Sequence, residues 1–490
     1  MPGRPALIAL YDSCSRKKVP FVPMRPGRAG IYTCGPTVYR YVHIGNLRTW
    51  LLTDLLVRAL GFFGLRTVSV QNVTDMGHMQ QERLEEAEDK VVAAARAAGK
   101  SAGEIAAFFT GAFFRDCRRM GFLPADLYPR ASAHVPDMIA MARELERRGA
   151  TYGEKGWLYL DVTKAPGYGE LSGALLGEGE AAGRTDAAIH LRKKRPEDFS
   201  LWLPAEPGRE FSWESPWGRG WPGWHIECAA MAVRYLGPEF DIHVGGSDLR
   251  FPHHENSRAM ARAATGGRFA ALWVHGAHLL VDGRKMSKSL RNEHTLDDLE
   301  ARGVSPADFR YHCLTLQYRT PMNFTWEAQA ASATALERLR EAFARGGDAG
   351  SGAPGEEGEF RRRFREAVGD DLNTPKALGV VHEAARAGLS GRTLRKLAAE
   401  WDPVLGVGLL RSAEAAREEA GAVDREGIPE AVADLARRRG RLRQERKFRE
   451  ADALREGIRE AGYEVTDGPE GTFRLEKRRG RGTDGFDEKA

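Results

Sequence analysis

Two stretches far apart in a chain of 490 residues carry groups suited to polyphosphate chemistry. His43-Ile-Gly-Asn46 stands where a β-rich run gives way to an amphipathic one, so His43 and Asn46 fall at a helix N-terminus. Free N–H groups and a partial positive charge at such an end suit a phosphate. Gly45 lets the backbone approach a ligand closely. Alone, this tetrapeptide is a weak signal, and His43 reads equally as a turn histidine. Lys285-Met-Ser-Lys-Ser289 follows Gly283 in a polar loop. Two lysines three apart can set two ammonium charges on a polyphosphate, the clamp that charge developing on transferring and leaving phosphoryl oxygens requires. A solvated basic loop is the ordinary reading of any such pair. Both signals gain weight because they sit at the ends of two matching units.

The first unit runs from a strand at Ile31 to Cys34, through a Gly-Pro turn and a helix from Asn46 to Leu60, to a strand at Thr67 to Gln71. The second has a strand at Phe240 to Val244, a helix from about Pro252 to Ala264 and a strand at Leu272 to His275. Strand, helix, strand in this order predicts parallel pairing, and two such halves around a long insertion predict a split nucleotide-binding sheet. The insertion spans about 78–222, with helical stretches and a Gly- and Pro-rich region from Tyr152 to Trp221. Gly346 to Glu359 has almost nothing to bury and reads as a flexible linker closing a first domain at 345. Helical spacing resumes over Phe360 to Leu410 and Ile428 to Gly462, a short β-like pair follows at Tyr463 to Val465 and Thr472 to Leu475, and 476–490 is a charged tail.

Composition narrows the class. Hydrophobic residues make up 42% and charged ones 29%, which excludes a disordered chain. No apolar run reaches the roughly 18 residues of a bilayer span, and Ala6 to Tyr11 is too short for a signal peptide. Cys14, Cys34, Cys117, Cys228 and Cys313 are too sparse for a disulfide framework, so a cytoplasmic enzyme is expected. A net charge of +5 does not demand a polyanion. Its distribution is more telling: eight of the thirteen residues from Arg437 to Arg449 are Arg or Lys, and only Glu445 is acidic. Such a run is more often a solvated helix face than a nucleic-acid contact.

The two phosphate signals, HIGN and KMSKS, resemble the paired signatures of class I aminoacyl-tRNA synthetases, usually HIGH and KMSKS. Tyr32 to Tyr39, Gln71 to Asp75, Pro222 to Cys228, Gly245 to Asp248 and Phe251 to Asn256 are similar, in order, to the cysteinyl-tRNA synthetase family, over about Leu10 to Leu475. The resemblance implies an α/β fold, a split Rossmann-type parallel sheet in the catalytic domain with a helical C-terminal domain. It implies a catalytic domain over 1–345, a helical domain over 360–425 introduced by Asp371-Leu-Asn-Thr-Pro375, and a terminal anticodon-recognition module over 426–475. His43, Asn46, Lys285 and Lys288 would be catalytic, and His43, Gly45, Asn46, Lys285, Ser287 and Lys288 would bind ATP with Mg²⁺. Thr37, Thr74, Trp224, Asp248 and His254 would bind cysteine or its adenylate, with His225 in the pocket more generally.

One zinc ion would read the substrate thiol from Cys34, Cys228 and His253. The family's fourth ligand, a glutamate four residues after the histidine, is replaced by Ser257, and Glu255 falls on another helical face. Three protein ligands, with water or the substrate thiolate fourth, are therefore expected; His254 is a possible substitute. Arg291 stands where the family usually has glycine, and Met76-Gly-His78 follows Asp75 where many members carry carboxylates. The implied activity is cysteine–tRNA ligation by a monomer with tRNA(Cys), L-cysteine and ATP as partners, no membrane, and Arg437 to Arg449 on the tRNA backbone. The alternative is a ligase passing activated cysteine to an amine on a small molecule, as in mycothiol biosynthesis, where the related enzyme also carries serine at the position of Ser257.

Overall fold

A computed structural model describes residues 8–76, 90–173, 193–286, 290, 292–345 and 356–411, then 439, 451–452, 454–455, 463–467 and 473–477. Its central sheet has four parallel strands in the order Phe269–Gly276, Glu239–Gly246, Arg28–Thr33, Arg66–Gln71. Alternate residues leave on opposite faces. Ile31, Ile242, Val244 and Val274 join one buried core with the helix Ile44–Phe62. Tyr32, Val70, Phe240 and Trp273 join a second with the helices Trp224–Leu236 and Glu255–Thr265. With both faces covered, the strands carry nearly unbroken apolar runs.

The two halves meet where Arg28–Thr33 lies beside Glu239–Gly246, with Ile31 opposite Ile242 and Thr33 opposite Val244. Strand order reverses at this seam, and open α/β sheets hold ligands in the crevice beyond the carboxyl ends there. Ile44–Phe62 begins just after the carboxyl end of the strand Arg28–Thr33, so its N-terminus lies at that crevice.

The insertion supplies the helices Lys90–Ala98, Ala102–Arg119 and Val135–Arg147. It also carries an antiparallel sheet ordered Thr151–Tyr152, Leu158–Leu160, Phe199–Pro204, Gly220–Pro222. This sheet occupies the region read only as Gly- and Pro-rich. Its strands run from two to six residues, too short for period-2 alternation to stand out among the turns.

The helices Glu356–Gly369, Thr374–Arg386 and Gly391–Leu405 lie in one compact unit with the sheet, Met1–Ser412. Phe364 stacks on Trp401 with centroids 5.0 Å apart and meets Phe62 edge-on at 5.9 Å. Asp371 accepts from Tyr11 N at 2.8 Å, the Tyr318 hydroxyl at 2.6 Å and Arg319 Nε at 2.7 Å. Thus the Gly-rich stretch interrupts the helical pattern without dividing the packing; of that stretch, 346–355 lies outside the described residues.

The second unit, Ala413–Ala490, pairs Tyr463–Asp467 with Phe473–Lys477 in an antiparallel hairpin. Apart from Arg439, the basic run from Arg437 to Arg449 lies outside the described residues, as does the tail beyond Lys477. Among the described residues, no helix is long and apolar enough to cross a membrane.

Candidate active site and metal centre

Cys34 follows the last residue of the strand Arg28–Thr33, Cys228 sits in the second turn of Trp224–Leu236, and His253 lies in the wound turn that leads into Glu255–Thr265. All three are buried, with one donor atom from each within 4.8 Å of the others. The sulfurs are 3.8 Å apart. Two thiolates about 2.3 Å from one tetrahedral zinc would be about 3.8 Å apart, whereas a disulfide needs about 2.05 Å. The donor set and its spacing therefore fit a soft divalent metal. Electrostatics agree. Burial pushes the Cys34 thiol well up, while the Cys34 hydrogen bond, and then His253, hold Cys228 well below the usual thiol range. Of the two thiols, Cys228 is therefore the one disposed to ionise, and a cation between them would favour the thiolate form of both.

The indole of Trp224 lies flat on the His253 ring at 4.3 Å and 17°. His253 Nδ1 meets His225 Nδ1 at 3.2 Å. Ser257 is buried beneath, but its hydroxyl donates to the His225 carbonyl at 3.2 Å. A second group, Cys34, His243 and His254, also brings three donor atoms within 4.8 Å.

Cys34, Cys228 and His253 line a cavity of about 400 Å³ together with Thr37, His43, Gly45, Asn46, Thr74, Trp224, Asp248 and Lys285. His43 caps the helix: its Nδ1 accepts from Asn46 N at 3.3 Å, and Asn46 Oδ1 accepts from His43 N at 3.2 Å. Burial, then Arg40, lowers the basicity of His43, so the ring is neutral near pH 7 and carries its proton on Nε2. A Cβ on Gly45 would sit 2.4 Å from Met286 Cε and 3.1 Å from the His43 ring, so any larger residue would have to displace one or both. Thr37 and Thr74 face each other in a short parallel bridge, with Thr74 N donating to Pro36 O at 2.9 Å. The Thr74 hydroxyl donates to Glu227 on the Cys228 helix at 3.2 Å. Lys285 is exposed at the rim, in the two-residue strand Arg284–Lys285.

His254 departs from the expectation. It is fully buried and does not line the cavity; it lies behind Cys34, its Nε2 3.2 Å from the sulfur. The turn that carries both histidines, Arg250–His254, is wider than an α-helical turn and leaves helical geometry at Phe251, so sequence spacing alone does not fix where the His254 side chain falls. Ser287, Lys288 and Arg291 lie outside the described residues, as do Gly77 and His78.

Several contributors escaped the sequence reading. Asn72 Oδ1 accepts from Gly35 N at 2.9 Å and its Nδ2 donates to the Thr74 hydroxyl at 3.0 Å. Arg40 reaches Glu293 across the rim at 2.7 Å. His243 stacks on Trp273 at 4.6 Å and meets His254 edge-on at 4.4 Å. Only Asn72 lay within a recognised stretch; the others carry no local signal.

Comparison with known proteins fits this geometry. Residues 20–334 match the class I (C) tRNA synthetase catalytic domain, and residues 363–399 match the DALR domain. The chain is 42% identical to cysteine–tRNA ligase 1 of Burkholderia lata over 95% of its own length and 96% of that protein's. It is 38% identical to cysteine–tRNA ligase of Thermus thermophilus over 96% of this chain and 100% of that one. Among solved structures, Mycobacterium tuberculosis methionyl-tRNA synthetase in complex with methionyl-adenylate superposes with a TM-score of 0.57 at 14% identity, covering 81% of this chain and 93% of that one. That last likeness concerns the fold alone.

Proposed function

The chain belongs to the class I tRNA synthetases of the cysteine type, and we propose that its cavity activates L-cysteine with ATP and passes it to the 3′ end of tRNA(Cys). The observation that carries this reading is the convergence of three soft metal donors with a capped helix N-terminus and a rim lysine on one cavity. In the first step the cysteine carboxylate attacks the α-phosphorus of ATP in line, forming cysteinyl-adenylate and releasing pyrophosphate. In the second, a terminal ribose hydroxyl of the tRNA attacks the adenylate carbonyl. Both steps depend on positioning and charge stabilisation more than on covalent help.

The chain's residues divide that work. His43 offers a neutral Nε2–H to the phosphates at the positive end of Ile44–Phe62, and Asn46 fixes the turn that aims it. Lys285 at the rim, with Lys288 and Ser287 of the same motif, neutralises the pyrophosphate, and Mg²⁺ accompanies ATP. Asp248 takes the substrate's ammonium group. Thr37, Thr74 and Trp224 wall the side-chain pocket. Cys34, Cys228 and His253 hold one zinc ion. When bound, the ion supplies a soft acceptor for the substrate thiol that a serine hydroxyl cannot match. Pocket shape alone would separate cysteine from serine by only a few kcal/mol. The division into a catalytic domain over 1–345, a helical domain over 360–425 and a terminal tRNA-reading module over 426–475 belongs to the same proposal.

The deciding experiment supplies purified protein with ATP, Mg²⁺, labelled cysteine and total tRNA, with serine as the control. Acid-precipitable cysteine on tRNA, and no serine, is the expected result. Cysteine-dependent pyrophosphate exchange without tRNA charging would overturn it in favour of a small-molecule amine acceptor. No observation on the fold or the relatives favours that acceptor.

A further inference from the structure

Behind the metal donors runs a line of side chains that the reaction as described does not use. His254 Nε2 is 3.2 Å from Cys34 Sγ, His254 Nδ1 is 2.8 Å from His275 Nε2, and His275 Nδ1 is 2.8 Å from the hydroxyl of Ser13. All four residues are buried. Ser13 sits just beyond the N-terminal strand Ala9–Asp12 and is fixed by backbone pairing: its N–H donates to Trp273 O at 2.8 Å, and Trp273 N donates to Asp12 Oδ1 at 3.0 Å. The far end of the line is therefore anchored to the edge strand of the sheet. At the near end, a Cβ on Gly245 would lie 2.5 Å from the His254 ring, so the strand end closes over it.

Proton counting gives this line one direction. A thiolate serving as a metal ligand can only accept a hydrogen bond. His254 must then present Nε2–H to Cys34, which leaves its Nδ1 as an acceptor. His275 must answer with Nε2–H, which leaves its own Nδ1 to accept, and the Ser13 hydroxyl supplies that proton. Each imidazole carries one N–H in this arrangement. His254 does not line the cavity that Cys34, Cys228 and His253 share, and its Nε2 stands at hydrogen-bonding distance from the sulfur, which suits a partner of Cys34 behind the metal donors.

We infer that Ser13 and His275 are positioning residues for the metal centre, holding His254 in the tautomer that donates to the Cys34 sulfur. The inference rests on the metal reading of Cys34, Cys228 and His253. A ligand's outer partners set its orientation and charge, and losing one typically costs ~10–100-fold in metal affinity. Here the outermost partner is a hydroxyl more than two hundred residues from two of the three donors.

The test titrates metal-free protein with zinc against a chromophoric chelator, and records the sulfur-to-metal charge-transfer band of the cobalt-loaded protein. Ser13→Ala should weaken zinc binding by about tenfold or more and shift the band, while Ser13→Thr, which keeps the hydroxyl, should behave as the parent. His275→Gln retains a donor and an acceptor and should keep most of the affinity; His275→Leu should lose it. A purely structural role would not separate the members of each pair. Ser13→Ala binding zinc within about twofold of the parent, with an unchanged band, overturns the inference and leaves the metal reading standing. If Ser13→Ala does not fold, equal zinc binding by His275→Gln and His275→Leu overturns it instead. A parent protein that binds no zinc overturns both together.

Discussion

Cys34 joins the fold to the chemistry: its carbonyl accepts from Trp50 Nε1 at 3.1 Å, while its sulfur faces Cys228 and His254. Cys34→Ser changes one atom, so the fold should persist. Zinc should be lost on metal analysis, and cysteine-dependent pyrophosphate exchange should fall by more than about a hundredfold, because a hydroxyl is a poor, hard ligand. Retained zinc with full activity would remove Cys34 from the site. Gly45 makes a smaller prediction. In Gly45→Ala the new methyl meets Met286 Cε at 2.4 Å, and the end of a methionine can move at modest cost. The KM for ATP should rise about threefold to tenfold, and Met286→Ala added to it should recover most of the loss. No recovery would mean that the His43 ring, not Met286, sets the limit.

The helix Ile44–Phe62 is the element on which the site depends, and its anchor is an ion pair. Asp54 accepts from Arg310 Nη2 at 2.5 Å and from Leu123 N at 2.8 Å, and Arg310 also donates to Leu405 O at 2.7 Å and Met120 O at 3.2 Å. Three segments are thus pinned to one buried guanidinium. Asp54→Asn removes the carboxylate that Arg310 shares with Arg58 and should cost about 3–5 kcal/mol in urea unfolding. An unchanged midpoint would show that the carbonyls alone satisfy Arg310. The helix Pro306–Leu314 sets a pH dependence through His312, whose pKa burial, then Arg48, lowers to about 4. Below the ordinary 6.5 the unfolded chain takes up a proton that the folded chain refuses. From this residue, stability should therefore fall by about 1.4 kcal/mol per pH unit between 6.5 and about 4, and be fully present above that window. His312→Gln should flatten that portion of the unfolding profile; an unchanged slope would assign it to other groups.

At the scale of the whole molecule, the proposed tRNA contact through the basic run is tested separately from the chemistry at the sheet. If the run from Arg437 to Arg449 follows the tRNA backbone, Arg441→Glu with Arg443→Glu should weaken tRNA binding. The slope of log affinity against log salt should flatten by about 0.7–0.9 per lost phosphate contact, with pyrophosphate exchange intact. Unchanged tRNA affinity would return the run to a solvated face. The two strand–helix–strand halves were readable in the sequence from apolar periodicity, whereas Cys34, Cys228 and His253, which the structure brings together, form no local pattern and were reached only through the resemblance of short motifs to a family. The four-stranded sheet of the insertion was not readable, since Gly and Pro turns break its short strands before any alternation registers. Nor was the unity of Met1–Ser412, because Phe62, Phe364 and Trp401 share a core across a stretch that looks like a spacer. The placement of His254 behind Cys34, and of Ser13 and His275 behind His254, belongs wholly to tertiary structure. Hydrogen bonds spanning 220 and 262 residues leave no periodicity in the chain; they exist only because strands from both halves end side by side, and burial there obliges each polar group to find its partner.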